Sequence, residues 1–182
     1  MTYGLLLTGT SGAGKSTLAS WLCHRDSHFR LVKAVTTRAP RPDDSEGQYA
    51  YLCESQFDEL EDSNQLLIRA EYRGLRYGIT HAHVNDVRTT GAIPVIVATP
   101  DSVARYSSKV ANGNETERFK SVFIDAPDET LDSRLLERDS RSPSSAIGEQ
   151  RIVDRRFASG CDHVIMNVDL DEAKAKLLAL LS

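Results

Sequence analysis

Long apolar runs are missing from this chain of 182 residues. Nothing in it approaches the ~18–20 consecutive apolar residues of a membrane-spanning helix, which argues against a membrane protein of that kind. Positive charge is scarce too. Lysine and arginine number 22 against 26 aspartates and glutamates, a formal net charge of −4. A general nucleic-acid binder needs a basic surface to displace counterions, and this balance argues against one. Cysteine is limited to Cys23, Cys53 and Cys161, far apart and in no zinc or redox spacing, so they read as reduced, mostly packed thiols. His81 and His83 flank Ala82, which reads as a helix start or solvated turn rather than a metal site. The segment MTYGLLLTG lacks the basic flank and cleavage site of a secretory signal, so a cytoplasmic protein is expected. There is no internal repeat, which excludes solenoid architectures.

What is present is alternation. Apolar, β-leaning runs at 3–8, 29–35, 93–98, 119–124 and 163–166 are interleaved with helical patterns at 18–23, 102–106, 131–136 and 170–181. Strands that are apolar without alternating are buried on both faces, and helices between them predict a parallel α/β sheet. The last helix carries the clearest signal. Asp169 can cap it with Glu172 three residues on, and Leu170, Ala173, Leu177 and Leu181 line one face. Two regions break the pattern. Residues 36–90 begin with the basic, proline-rich TTRAPRPDDSEGQ and contain short candidate strands, as expected of a small β-rich lobe. Residues 139–145, DSRSPSS, have no periodic apolar face and suit a mobile lid.

Directly after the first strand comes GTSGAGKST, residues 9–17, which fits the phosphate-binding loop pattern in its expected context between strand and helix. Gly9, Gly12 and Gly14 allow the tight turn that points successive N–H groups inward at phosphate oxygens, and Thr10, Ser11, Ala13 and Thr17 complete the cradle. The following helix adds the partial positive charge of its N-terminus. Lys15 can reach the β- and γ-phosphates of a nucleotide, and Ser16 can place a hydroxyl on Mg²⁺. An Asn-Lys-x-Asp guanine box is absent, which argues against a GTPase. The short chain with its basic insertion suggests phosphoryl transfer to a small acceptor.

With VTTRAPRP…EGQYAYL, EYRGLRYG and HVIMNVDLDEA following GTSGAGKSTL in order, the chain resembles the guanylate kinase family over nearly its whole length. The resemblance implies a P-loop kinase three-layer α/β fold: a parallel core sheet flanked by helices, an inserted β-rich acceptor lobe and a mobile lid. The corresponding division is a core of 1–35, 91–138 and 157–182, an acceptor lobe of 36–90 and a lid of 139–156. It implies ATP and Mg²⁺ as cofactors and a small phosphate acceptor, a nucleoside monophosphate such as GMP or dGMP, in a monomer or homodimer. Arg38 and Arg41 would grip the acceptor phosphate, with Thr37, Tyr49 and Tyr77 beside them. Arg134 and Arg138, one helical turn apart, and Arg151 would close on the transferred group. Arg155 and Arg156 read equally as a salt-bridged helix surface. Asn167 matches the asparagine near adenine, although a strand-end turn cap is an adequate structural reading.

The base end departs from the family. Ile68 stands where a guanine-reading glutamate is expected, Ile79 meets the place of a hydroxyl with Thr80 adjacent, and the acidic motif after the next strand is reduced to Asp101. An isoleucine accepts no hydrogen bond, and an unpaired base N–H costs ~1–3 kcal/mol. Either Asp44, Glu46 or another acid reads guanine, or the acceptor differs. Ribose 1,5-bisphosphate phosphokinase shares the loop and lobe plan without needing a base pocket. Non-catalytic interaction modules of this family are a third alternative, against which the complete loop argues. Asp101 is a candidate for an outer-shell Mg²⁺ contact, or for a helix N-cap.

Overall fold

The computed structural model describes residues 4–41, 44, 47–72, 74–116, 118–139 and 145–181, with the backbone alone at 138, 139, 145 and 146. Five strands form the main sheet: β1 (Gly4–Gly9), β2 (Phe29–Leu31), β7 (Ile93–Val97), β8 (Phe119–Asp125) and β9 (His163–Met166). Their order is β2-β7-β1-β8-β9 and every pairing is parallel. Side chains alternate across a strand, so Leu5 and Leu7 face one side of β1 and Leu6 the other. The first side is filled by α1 (Lys15–Arg25) and α7 (Leu170–Ala179), through Leu18, Leu22, Ala173 and Leu177. The second packs Leu6 and Ile96 against α4 (Pro100–Ala111), through Val103 and Tyr106, and against α3 (His81–Thr89), through Val84.

A smaller sheet, in the order β4-β3-β6-β5, is built from β3 (Ala34–Thr36), β4 (Tyr49–Tyr51), β5 (Leu66–Tyr72) and β6 (Leu75–Thr80). Residues 29–35 read as one strand but are two. Val32 N–H donates to Val95 O at 2.8 Å in the main sheet, and Ala34 N–H already donates to Gln48 O at 3.0 Å in the smaller one. The chain changes sheets within three residues, a switch that hydrophobicity does not record. The lobe also contains α2 (Glu54–Asp62), unforeseen among candidate strands. Cys53 N–H donates to Gln56 Oε1 at 2.9 Å at its start, and Phe57, fully buried, packs with Val35 and Leu66. Arg76 of β6 clamps this helix by ion pairs to Glu54, Asp58 and Glu61.

The cap expected for the last helix is present: Asp169 Oδ1 accepts from the N–H groups of Asp171 and Glu172, both at 2.9 Å. His83, in the first turn of α3, faces Lys33 O at 2.9 Å. All three cysteines are free thiols. Cys53 is exposed rather than packed, and burial pushes Cys23 up to about 11. No helix among the described residues is long and apolar enough to cross a membrane.

Candidate functional site

The glycine loop joins the end of β1 to the start of α1. Gly9 lies opposite Ile124 of β8, with φ +135°. A β-carbon there would sit 1.9 Å from Ile124 O, so only glycine lets the chain leave the sheet this close to its neighbour. Gly14, at φ +88°, would place a β-carbon 2.6 Å from Asn167 Nδ2. That amide donates to Ala13 O at 2.7 Å, and Asn167 N–H donates to Asp125 O at 2.7 Å, so Asn167 straps the loop to the end of the sheet. Its Oδ1 is buried without a partner among the described residues. The Lys15 ammonium donates to Gly9 O at 2.9 Å and Thr10 O at 2.7 Å, folded back over the loop. Ser16 and Thr17 are exposed on the first turn of α1, Ala13 is buried, and Ser11 is half-buried.

These residues fit a nucleotide triphosphate tail: glycines at positive φ, a helix N-terminus with no acidic residue in its first turn, and a cation over the loop. The Ser16 hydroxyl fits Mg²⁺. Among the described residues no cluster of three or more acidic, histidine or cysteine side chains is arranged for a metal. Asp101 lies in the first turn of α4, where Thr99 is the N-cap residue, and accepts from Arg105 Nη1 at 2.6 Å.

In the smaller sheet, Arg38 is 6% exposed and its guanidinium carbon stands 5.0 Å from the Tyr49 ring centroid. Tyr77 of β6 pairs with Thr36 of β3, two positions before Arg38. Thr37 bonds Arg76 through both backbone and hydroxyl, which fixes the start of the loop. Arg38 Nη2 donates to Asp44 Oδ1 at 2.6 Å. Asp44 Oδ2 accepts from Arg41 N–H at 2.8 Å and Tyr51 O–H at 2.7 Å. The carboxylate therefore collects donors as a phosphate would, and Arg41 contributes its backbone while remaining exposed. Arg38 holds the Asp44 carboxyl down to about 2. A folded-state pKa below the ordinary ~3.9 means the contact is complete above that value and is lost as pH falls through about 2. A carboxyl ¹³C titration should place the Asp44 midpoint near 2; a midpoint near ~4 would show that Arg38 does not hold it.

Two helices carry the remaining arginines, α5 (Asp128–Asp139) and α6 (Ser145–Arg155). Arg134 Nη2 donates to Val168 O at 3.3 Å, beside Asn167, and its Nη1 is buried without a partner among the described residues. Arg151 is 3% exposed and donates through Nη1 to Asp132 Oδ1 at 2.6 Å. Its Nε and Nη2 are buried and unpartnered among the described residues. Arg155 is held from several sides, by Asp125, Asp128 and Ala126 O. The side chain of Arg138, residues 140–144 of the expected lid, and Glu46 lie outside the described residues.

Sequence reasoning missed Asp125 and Asp154. Asp125 ends β8 and accepts from Thr10 Oγ1 at 2.8 Å. A carboxylate closing an apolar strand was the available signal. Asp154, on α6, is buried and accepts from Gln150 Nε2 at 2.9 Å; burial pushes its carboxyl up, while Lys15 pulls it down. At the base end, Ile68 is 3% exposed within the core that contains Leu6, Ile79 and Ile96. Thr80 Oγ1 accepts from His83 N–H at 3.1 Å and caps α3.

The guanylate kinase family model matches residues 1–182. The chain is 32% identical over 183 residues to the guanylate kinase of Thermobifida fusca, covering 97% of this chain and 89% of that protein. It is also 32% identical to the guanylate kinase of Parasynechococcus marenigrum, covering 97% and 96%. The crystal structure of the Anaplasma phagocytophilum guanylate kinase superposes with a TM-score of 0.73 at 22% identity, covering 100% of this chain and 86% of that one. That last likeness concerns the fold.

Proposed function

Because the chain belongs to the guanylate kinase family and is a phosphotransferase, we propose that it transfers the γ-phosphoryl group of ATP directly to the phosphate of GMP. The observation that carries this reading is the pairing of two anion grips in one chain. One is the loop whose Lys15 is parked on two carbonyls, the other the Arg38 guanidinium, which holds a carboxylate through Nη2. In-line transfer leaves the protein little covalent chemistry, so positioning and charge neutralisation do the work. Lys15 moves from Gly9 O and Thr10 O to the donor phosphates, with residues 9–17 wrapping them. The acceptor phosphate displaces Asp44 from Arg38, and Tyr49, Tyr77, Thr37 and Arg41 complete its seat. Ser16 would help hold Mg²⁺, which would supply charge neutralisation. Arg134, Arg138 and Arg151 are proposed to meet the transferred group, the acceptor lobe being residues 36–90 and the lid 139–156. Asn167 shapes the donor loop. No general base is needed, because the attacking phosphate oxygen is already anionic.

Ile68 makes the phosphate, rather than the base, the main source of acceptor affinity. Without a carboxylate there, the preference for GMP over AMP in kcat/KM should be modest, about 100-fold or less, since each missing base contact is worth ~1–3 kcal/mol. The test is ATP consumption with GMP, dGMP, AMP, CMP and ribose 1,5-bisphosphate. Turnover confined to the sugar bisphosphate would reassign the acceptor. No turnover with any of them would overturn the kinase reading in favour of an interaction module.

A further inference from the structure

Thr10 makes two contacts with different partners. Its carbonyl accepts from Lys15 Nζ at 2.7 Å, and its hydroxyl donates to Asp125 Oδ1 at 2.8 Å. Asp125 is 8% exposed, and its Oδ1 accepts again from Ala126 N–H at 2.9 Å. Its Oδ2 accepts from Arg155 Nε at 2.8 Å, and Arg155 Nη2 reaches Asp128 Oδ1 at 2.7 Å and Ala126 O at 3.1 Å. A continuous chain of polar contacts thus runs from the donor lysine, through Thr10 and Asp125, to the last turn of α6. One turn earlier on that helix stands Arg151, whose Nη1 is spent on Asp132 and whose Nε and Nη2 are without a partner among the described residues.

The two α6 arginines therefore differ in what they can do. Arg155 has acceptors on several sides, so its guanidinium is an anchor and not a grip for an arriving anion. Arg151 is buried with donors to spare, and a buried donor left unpaired is costly until an acceptor arrives. The distance between anchor and grip is one helical turn, so whatever fixes Arg155 also fixes where the open side of Arg151 points.

We propose that Asp125 is a positioning residue for phosphoryl transfer: by tying Arg155 to the Thr10 hydroxyl, it makes the placement of Arg151 depend on the shape of the donor loop. This rests on the kinase reading above. When a nucleotide draws Lys15 off the Thr10 carbonyl, the same residue passes the change to Asp125 and hence to the lid helix. Asp125 touches neither substrate; it acts through Arg155.

The test breaks the chain at each end with isosteric changes. Thr10→Val removes only the hydroxyl, Asp125→Asn only the charge that holds Arg155, and Thr10→Ser restores the hydroxyl. Backbone amide exchange across residues 147–155 is followed with and without ATP, alongside an ATP-binding titration. In the wild type ATP should slow that exchange. In Thr10→Val and Asp125→Asn the slowing should largely vanish while ATP still binds, and Thr10→Ser should regain it. With GMP as acceptor, kcat should fall about 10- to 100-fold in either variant, the worth of one charge-assisted hydrogen bond, with acceptor KM within about twofold. The double variant should be no worse than Asp125→Asn, because one broken chain cannot be broken twice. The proposal is overturned if ATP slows α6 exchange equally in Asp125→Asn, if it fails to slow it in the wild type, or if the two losses multiply. A wild type that turns over no acceptor sinks the kinase reading instead, and leaves the exchange comparison to judge the link.

Discussion

Replacing Lys15 with alanine is expected to cut kcat for phosphoryl transfer by about 10²–10³-fold, roughly 3–4 kcal/mol of transition-state stabilisation. The reasoning starts from where the ammonium is held. Gly9 O and Thr10 O hold it over the loop, and from there it is proposed to move onto the donor phosphates and meet the charge that develops on the transferred group. The fold should survive, since alanine is the best helix former and α1 is anchored by Leu18, Ala19 and Leu22, all fully buried. Loss should therefore appear in single-turnover rate more than in melting temperature or in ATP affinity, part of which comes from the loop N–H groups and the helix N-terminus. Arginine at this position should not rescue, because its planar fork does not replace a compact ammonium between two loop carbonyls. A kcat within about tenfold of wild type would show that Lys15 stays on its carbonyls throughout the reaction.

Arg38→Ala should be comparably severe and fall on the other substrate: acceptor kcat/KM down by about 10³-fold with ATP binding unchanged. Two effects compound. The grip on the acceptor phosphate is lost, and Asp44, still bonded by Arg41 N–H and Tyr51 O–H, remains as an uncompensated carboxylate in the same seat. It would repel the incoming dianion. Hence Arg38→Ala combined with Asp44→Asn should recover about tenfold over Arg38→Ala alone, a non-additivity that a simple loss of contacts does not produce. Arg38→Lys should lie between, keeping charge without the bidentate fork. An unchanged acceptor KM in Arg38→Ala would remove Arg38 from the acceptor seat.

How far the residues disclose this in advance varies with how local the physics is. The donor loop was legible because its demands fall within nine contiguous residues, flanked by a strand and a helix recognisable from their own composition. The Asp169 cap was legible for the same reason, its partners Asp171 and Glu172 lying two and three positions on. The break between β2 and β3 was not, because Phe29–Val35 reads as one strand and only the partners of its N–H groups, Val95 O for Val32 and Gln48 O for Ala34, divide it. Helix α2 was overlooked because a lobe rich in short strands drew the reading toward β structure, although Phe57 and Leu60 sit at helical spacing.

The amino-acid order alone determined the family and the parallel α/β core, since each depends on side-chain types at short, fixed intervals. Tertiary structure decided the partners. Thr10 meets Asp125 across 115 positions and Asn167 meets Ala13 across 154. Whether Arg155 anchors or grips, whether Asp44 occupies the acceptor fork, and whether Ile68 lines a pocket or fills a core all turn on groups that only folding brings together. Charge and hydrogen-bonding capacity are written in the residues, but how that capacity is spent depends on burial and distance, which no single segment contains.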